Sequence, residues 1–310
     1  MDEKFKKQFM KQKEEIKKIF GDRVKFNESL SKFSWFNVGG PAELFFRADS
    51  EEELSIFFKY LNSLNKQITI IGAGSNTLIR DGGVKGATIK LSSKFSYLKL
   101  IEESLIEAGA ATFDKKLSEF SKENSIAGLE FLSCIPGSVG GAIKMNAGWH
   151  GHSIENVVAS IKVMDFEGNI KEIEKSEISF FYRGSSLPNN LLILSAKFKG
   201  KLSKKENIEK KLIQLTDKKK ASQPSGVKTC GSTFKNPENK KAWQLIKESD
   251  CDKLSVGGAK ISEKHCNFLI NEGNANSREI EELINNVKKK VLIKTGVKME
   301  LEIKIIGTKT

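Results

Sequence analysis

Apolar and polar positions follow two rhythms along this chain. Short apolar runs mark strands: "AELFFRA" (Ala42 to Ala48) and "ITIIG" (Ile68 to Gly72). Between them "SEEELSIFFKYLNSLN" has helical spacing. Ser50 is placed to cap that helix, with glutamates in its first turn. "GATIKL" and "SLIEAGA" predict further strands. Phe113, Leu117 and Phe120 in "TFDKKLSEFSKENS" predict a second helix. "VVASIKVMDFEGNIKEI" reads as a hairpin turning at Glu167, Gly168 and Asn169, and "LLILSAKF" as another strand.

Near Gly200 the pattern changes. "KLSKKENIEKKLIQLTDKKK" puts Ile208, Leu212 and Leu215 on one helical face with lysines elsewhere, and is expected to open a C-terminal domain. "NFLIN" predicts a strand. A helix follows with Ile280, Leu283, Ile284, Val287 and Val291 in register, ended by Gly296. In the last strand, "KMELEIKIIG", Met299, Leu301, Ile303 and Ile305 share one face, and Glu300, Glu302 and Lys304 the other. The pattern is α+β without a long-period repeat. At 310 residues it exceeds one core. The expected units are an N-terminal helix (1–30), two subdomains (31–93 and 94–203) and a C-terminal domain (204–310).

Composition narrows the function. Apolar residues make up 38% and charged residues 29%, which is globular. No run reaches the ~18 apolar residues of a membrane span. The basic N-terminus carries Asp2, Glu3, Glu14 and Glu15, which a transit peptide avoids, and it has no signal-type apolar core. A cytoplasmic protein is expected. The net charge of +13 lies partly in lysine runs, read as solvated helix faces. A rival reading, a non-catalytic RNA-binding module, requires aromatics interleaved with the lysines. The 3 Tyr and 3 Trp lie outside those runs, so no nucleic-acid partner is expected. A positive field still attracts anionic small molecules. Cys134, Cys230, Cys251 and Cys266, with His150, His152 and His265, show neither C-x-x-C nor H-x-x-x-H spacing. No metal site or disulfide framework is expected.

Two glycine-rich stretches carry the candidate chemistry. "IGAGSN" follows a strand, and Gly72 and Gly74 fit a dinucleotide loop. The third glycine fails, because position 77 is Thr. There is also no room for a crossover helix before "GATIKL" resumes a strand. Any phosphate here is held in a strand–loop–strand nest of backbone amides. "GLEFLSCIPGSVGGAIKMNAG" (Gly128 to Gly148) adds Gly137, Gly140 and Gly141, where missing side chains permit close backbone approach to a ligand. Two such loops suggest a ligand with two parts, and FAD fits.

The segments "NVGGPA", "IGAGSN", "IPGSVGGAIKMNAG", "YRGSS", "CGSTFKNP", "GGAKISEKHCNFLIN" and "ELEIKIIG" occur in the order seen in UDP-N-acetylenolpyruvoylglucosamine reductases, and the chain resembles that family from about residue 30 to 307. The resemblance implies two FAD-binding subdomains of the vanillyl-alcohol-oxidase type and a third, substrate-binding domain. It implies that NADPH reduces FAD, which reduces the enolpyruvyl double bond of a UDP-sugar during peptidoglycan precursor synthesis. A flavin oxidase on the same fold is the nearer rival; it has no reason to keep the residues below.

Hydride addition to the vinyl ether leaves charge beside a carboxylate, so the site needs a cation and a proton source. The resemblance assigns these roles to Arg183, Ser232 and Glu302. By pattern alone, Arg183 is a surface arginine, "GSTFKNP" a turn and Glu302 part of a solvated face. Cys230 is set aside as a nucleophile because no covalent step is needed. For FAD the candidates are Asn37, Gly39, Gly72, Ala73, Gly74, Ser75, Asn76, Ser138, Val139, Gly140 and Gly141. For the substrate diphosphate they are Lys235, Asn236, Lys264 and His265. The chain resembles the shorter class, without the inserted tyrosine segment. A monomer is expected, although the residues do not fix the oligomeric state.

Overall fold

The computed structural model describes residues 13–310. The first part of the expected N-terminal helix lies outside the described residues. Residues 13–20 are helical, but the helix does not continue to residue 30. Gly21 turns the chain at φ +60°, and Val24–Ser29 forms a strand whose buried and exposed positions alternate. Its period-two pattern overrides the helical one upstream. Ile16, Phe20 and Val24 pack with Phe46 and Phe57, and the Phe20 ring stands edge-on to Phe57 at 5.0 Å.

In the first sheet, Pro41–Ala48 pairs antiparallel with Val24–Ser29 and parallel with Val84–Leu91, which in turn pairs with Ile68–Ile70. The helix Glu51–Ser63 covers one face. It starts where predicted, with Ser50 Oγ accepting the Glu53 amide at 3.2 Å. No helix lies between Ile68–Ile70 and Val84–Leu91. The glycine segment runs into a short strand, Thr77–Ile79, which leaves this sheet to pair in parallel with Lys304–Ile306 near the C-terminus. The strand–loop–strand expectation therefore holds, and it brings the last strand beside the glycine loop.

The second sheet is antiparallel, in the order Ile170–Glu174, Val158–Asp165, Leu191–Lys199, Leu105–Gly109, Leu98–Glu102. Helix Asp114–Glu123 packs on it. Lys205–Ser222, expected to begin the C-terminal domain, packs instead on that helix and on the turn Glu130–Cys134. Leu215 enters the same core as Leu117, Leu129 and Phe198, and Lys211 pairs with the buried Glu130 at 3.3 Å. The apolar stripe of this lysine-rich helix folds back, so the crossing lies after Ser222 rather than at residue 204.

The remaining unit has a three-stranded sheet (Ser255–Val256, Ala259–Ile261, Leu269–Asn271) and helices Ala242–Glu248 and Ser277–Thr295. Their core includes Leu245, Ile246, Leu283, Val287 and Met299. Only Lys304–Ile306 of the expected last strand forms a ladder; residue 301 makes a single bridge to Phe234.

This unit is fastened to the first sheet at "RDGG". The long helix is capped by Asn276, and the Asp81 carboxylate accepts the next free amide, of Ser277, at 2.9 Å, while the Asp81 amide donates to Ser277 Oγ at 2.8 Å. Arg80 grips both oxygens of Glu281, at 2.9 and 2.8 Å. Asp81→Ala is expected to lower stability by about 1–2 kcal/mol. Thermal or urea denaturation checks this, with Asp81→Asn recovering most of the loss.

Candidate active site

The units meet around a cleft of about 1910 Å³. One wall is the first glycine loop. Gly74 sits at φ +74°, and a Cβ there would lie 1.7 Å from the Phe33 carbonyl, so the turn requires glycine. Trp35 N donates to Gly74 O at 3.1 Å and fixes the loop from behind. Among the described residues, the amides of Gly72, Ala73, Gly74, Ser75 and Asn76 donate to no protein acceptor. Gly74 is buried, Ala73, Ser75 and Asn76 are half-buried and Gly72 is exposed, and successive free amides of this kind have the chemistry to hold an anion. The second glycine loop comes close: a Cβ on Gly72 would lie 3.1 Å from Ser138 Oγ. Ser138, Gly140 and Gly141 line the cleft. These residues fit a flavin dinucleotide.

Three expected cofactor residues do not reach it. Val139 is fully buried in the second core, and its amide donates to Thr112 O at 2.9 Å. Asn37 makes a turn at φ +56°, and Gly39 lies against Ile79 at φ +133°. Neither lines the cleft; "NVGGPA" instead shapes the turn that meets Arg80, through the Gly40 amide to Arg80 O at 3.0 Å. The glycines are explained by close backbone packing rather than by a ligand.

The catalytic candidates do converge. Arg183 sits in a tight hairpin, Phe180–Phe181 against Gly184–Ser185, at φ +59°. A non-glycine residue in that region costs about 1–3 kcal/mol, and such strain gathers at functional sites. Its Nε donates to Glu302 Oε1 at 2.7 Å, and its guanidinium lies 5.2 Å from the Tyr182 ring. Tyr182 Oη accepts the Asn236 amide at 3.4 Å.

Glu302 is not on a solvated face; its side chain is 15% exposed. Its amide donates to Thr233 O at 2.8 Å, and its carbonyl accepts Asn76 Nδ2 at 3.1 Å. The last residue of the glycine loop thus holds the glutamate's backbone. Burial pushes the Glu302 carboxyl above the usual carboxylate range, against the downward pull of the Arg183 charge and hydrogen bond.

Ser232 follows Gly231, which is at φ +77°, and pairs with Phe268. The Asn267 side chain braces the segment, accepting Phe234 N at 3.0 Å and donating to Phe234 O at 2.8 Å. Ser232 lines the cleft, and its hydroxyl makes no protein hydrogen bond among the described residues. Cys230 is buried and aimed at Thr77 O, 3.4 Å away, with its thiol pushed up to about 11 by desolvation. That is a packed thiol, not a nucleophile.

Of the four diphosphate candidates, Asn236 and His265 line the cleft. Asn236 Oδ1 also accepts the Ala242 amide at 3.0 Å. His265 Nδ1 accepts the Asn267 amide at 3.3 Å, which leaves Nε2 as the N–H of the neutral ring; burial lowers its pKa. Lys235 and Lys264 do not line the cleft, although the Lys235 charge reaches Glu302 and helps to pull its pKa down. The Lys235 ammonium is 3.6 Å from Glu300, and Lys264 donates to Lys220 O.

Pattern reading missed other lining residues. Arg47, Lys90, Lys116, Lys144, Lys219, Lys241 and Lys304 join Arg183, against only Asp114, Glu155 and Glu302. Lys219 comes from a run read as solvated, yet it donates to Cys134 O at 2.9 Å. Asp114 opens its helix fully buried, with neither carboxyl oxygen hydrogen-bonded. Nothing in "TFDKK" marks it.

Desolvation holds Asp114 protonated well above the ordinary range. In the unfolded chain it ionises normally, so stability falls as pH rises from that ordinary value towards the folded one, by up to about 1.4 kcal/mol per unit. The melting temperature of Asp114→Asn relative to wild type is expected to climb as pH rises above about 4. A constant difference would show that the carboxyl is charged in the fold.

Residues 42–174 match the model of an FAD binding domain, and residues 223–306 that of the C-terminal domain of UDP-N-acetylenolpyruvoylglucosamine reductase. With the amide nest and the paired guanidinium and carboxylate, this makes the chain an FAD-dependent oxidoreductase. It is 44% identical over 299 residues to the UDP-N-acetylenolpyruvoylglucosamine reductase of Pelagibacter ubique, covering 94% of this chain and 99% of that one. A Wolbachia enzyme of the same name, from the Culex pipiens strain, is 45% identical, with 91% and 96% covered. The crystal structure of the Thermus caldophilus enzyme superposes with a TM-score of 0.81 at 30% identity, covering 92% of this chain and 99% of that one. The chain belongs to the UDP-N-acetylenolpyruvoylglucosamine reductase family.

Proposed function

We propose that this cleft reduces the enolpyruvyl group of UDP-N-acetylglucosamine-enolpyruvate to UDP-N-acetylmuramate, with Arg183, Glu302 and Ser232 as the reacting side chains. The observation that carries the reading is the Arg183–Glu302 pair, at 2.7 Å, in the same cleft as the amide nest and the unengaged Ser232 hydroxyl. FAD, when bound here and reduced by NADPH, would be the source of the hydride that reaches the terminal vinyl carbon. The amides of Gly72 to Asn76 and the backbone of Ser138, Gly140 and Gly141 hold the cofactor.

Arg183 takes the substrate carboxylate. Its Nε already serves Glu302, and its other donors remain available. As the substrate's negative charge occupies the guanidinium, Glu302 loses part of its counter-charge. Its carboxyl, already raised by burial, then takes up a proton and donates a hydrogen bond to the developing enolate. Ser232 gives its proton to the carbon next to the carboxylate. A hydroxyl is a weak acid, but this carbanion is a strong base. Asn236 and His265 face the substrate's polar groups from the C-terminal unit.

All three side chains come from one chain, so a monomer suffices. No described helix is long and apolar enough to cross a membrane. A cytoplasmic location suits substrates that are soluble nucleotides. The test is an absorbance spectrum of purified protein, followed by anaerobic reoxidation of the reduced flavin. Rapid reoxidation by the enolpyruvyl UDP-sugar is the expected result. Reoxidation by oxygen alone would make the chain an oxidase and overturn the reading.

A further inference from the structure

We infer that Arg47 and Lys90 form a cation subsite for the cofactor's diphosphate, on the strands beside the Gly72–Asn76 loop. The inference rests on the reading above that this loop holds that diphosphate. Arg47 and Lys90 are register partners on neighbouring parallel strands and both line the cleft. Like charges side by side on one sheet face repel, and folds normally avoid or neutralise them.

Several cations around this sheet meet a carboxylate. Lys66 pairs with Glu43 at 2.7 Å, Arg23 with Glu53 at 2.6 Å, and Lys162 reaches across to Glu51 at 2.7 Å. Neither Arg47 nor Lys90 has a carboxylate at ion-pair distance among the described residues. The Lys90 ammonium donates to Gly72 O, at the first residue of the nest. Desolvation, then the Arg47 charge, pull its pKa down. The half-buried Lys90 and the exposed Arg47 line the same cleft as the five unpaired amides, and what all of these groups lack is negative charge. A dianionic diphosphate between loop and strands supplies it to both.

The experiment uses flavin-free protein titrated with FAD at several salt concentrations, followed by flavin fluorescence. Lys90→Gln and Arg47→Gln are each expected to weaken FAD binding about tenfold or more. They are also expected to flatten the dependence of affinity on salt. Lys90→Arg should bind nearly as wild type, and riboflavin, which has no phosphate, should bind all variants alike. Three results would overturn the inference: unchanged FAD affinity in both Gln variants; equal losses for FAD and riboflavin with an unchanged salt slope, which would make Lys90 only a loop anchor; or a raised KM for NADPH with FAD binding intact. Gly72→Val separates the underlying reading, because its side chain enters the gap towards Ser138. Wild-type FAD affinity in that variant would remove the loop reading and this inference with it. A loss there, with both Gln variants normal, removes the cation subsite alone.

Discussion

Ser232→Ala is expected to slow reduction of the enolpyruvyl substrate by ~10²–10⁴-fold, the usual contribution of a positioned acid. Reduction of the flavin by NADPH should keep its rate. The two half-reactions separate in anaerobic stopped-flow experiments. The expectation follows from the position of Ser232. Its neighbours Thr233 and Phe234 are fixed by Asn267, while its own hydroxyl has no protein partner among the described residues and lines the cleft. The segment therefore holds the oxygen in place without engaging its proton. Loss of one hydroxyl leaves the brace intact, so folding should be unaffected. Equal rates in the parent and Ser232→Ala would assign proton delivery to another group.

Arg183→Met is expected to lower the same half-reaction by ~10²–10³-fold and to raise the KM for the UDP-sugar. The guanidinium has two tasks. It binds a carboxylate that becomes more basic as charge develops, and it restrains Glu302. Without it, Glu302 keeps the burial that raises its pKa and loses the charge and hydrogen bond that lower it. Its carboxyl should then stay protonated to higher pH. Infrared difference spectra should show the protonated carboxyl band persisting to higher pH in the variant. A band that titrates as in wild type would mean that the 2.7 Å pair does not set the glutamate's charge. Arg183→Lys should recover little, since an ammonium cannot hold two carboxylates in one plane.

Some of the site was legible because its elements are local. Gly72 and Gly74 after an apolar run, with no room for a helix before the next strand, already pointed to a strand–loop–strand turn rather than a helix terminus, and the fold has that turn. Gly296 and Ser50 marked helix ends through their own backbone and side-chain preferences, and both are where the pattern put them. Other residues misled for a physical reason. Gly39 is a glycine for packing against Ile79, and sequence does not distinguish close approach to a ligand from close approach to the protein. The helix Lys205–Ser222 looked like a new domain because its lysines hide how few apolar residues a core contact needs.

Local periodicity, capping chemistry and turn residues were settled by the chain alone, because they depend on neighbours within a few positions. They determined the α+β class, the helix ends at Ser50 and Gly296, and the two glycine-rich loops. The tertiary structure decided which charges meet. Arg183 and Glu302 are 119 residues apart, and only the parallel pairing of Lys304–Ile306 with Thr77–Ile79 carries the glutamate to the loop and the arginine. The protonated state of Asp114 and the unneutralised Arg47–Lys90 pair have the same origin. Burial and the absence of a partner are properties of the whole fold, and no short stretch of sequence contains them.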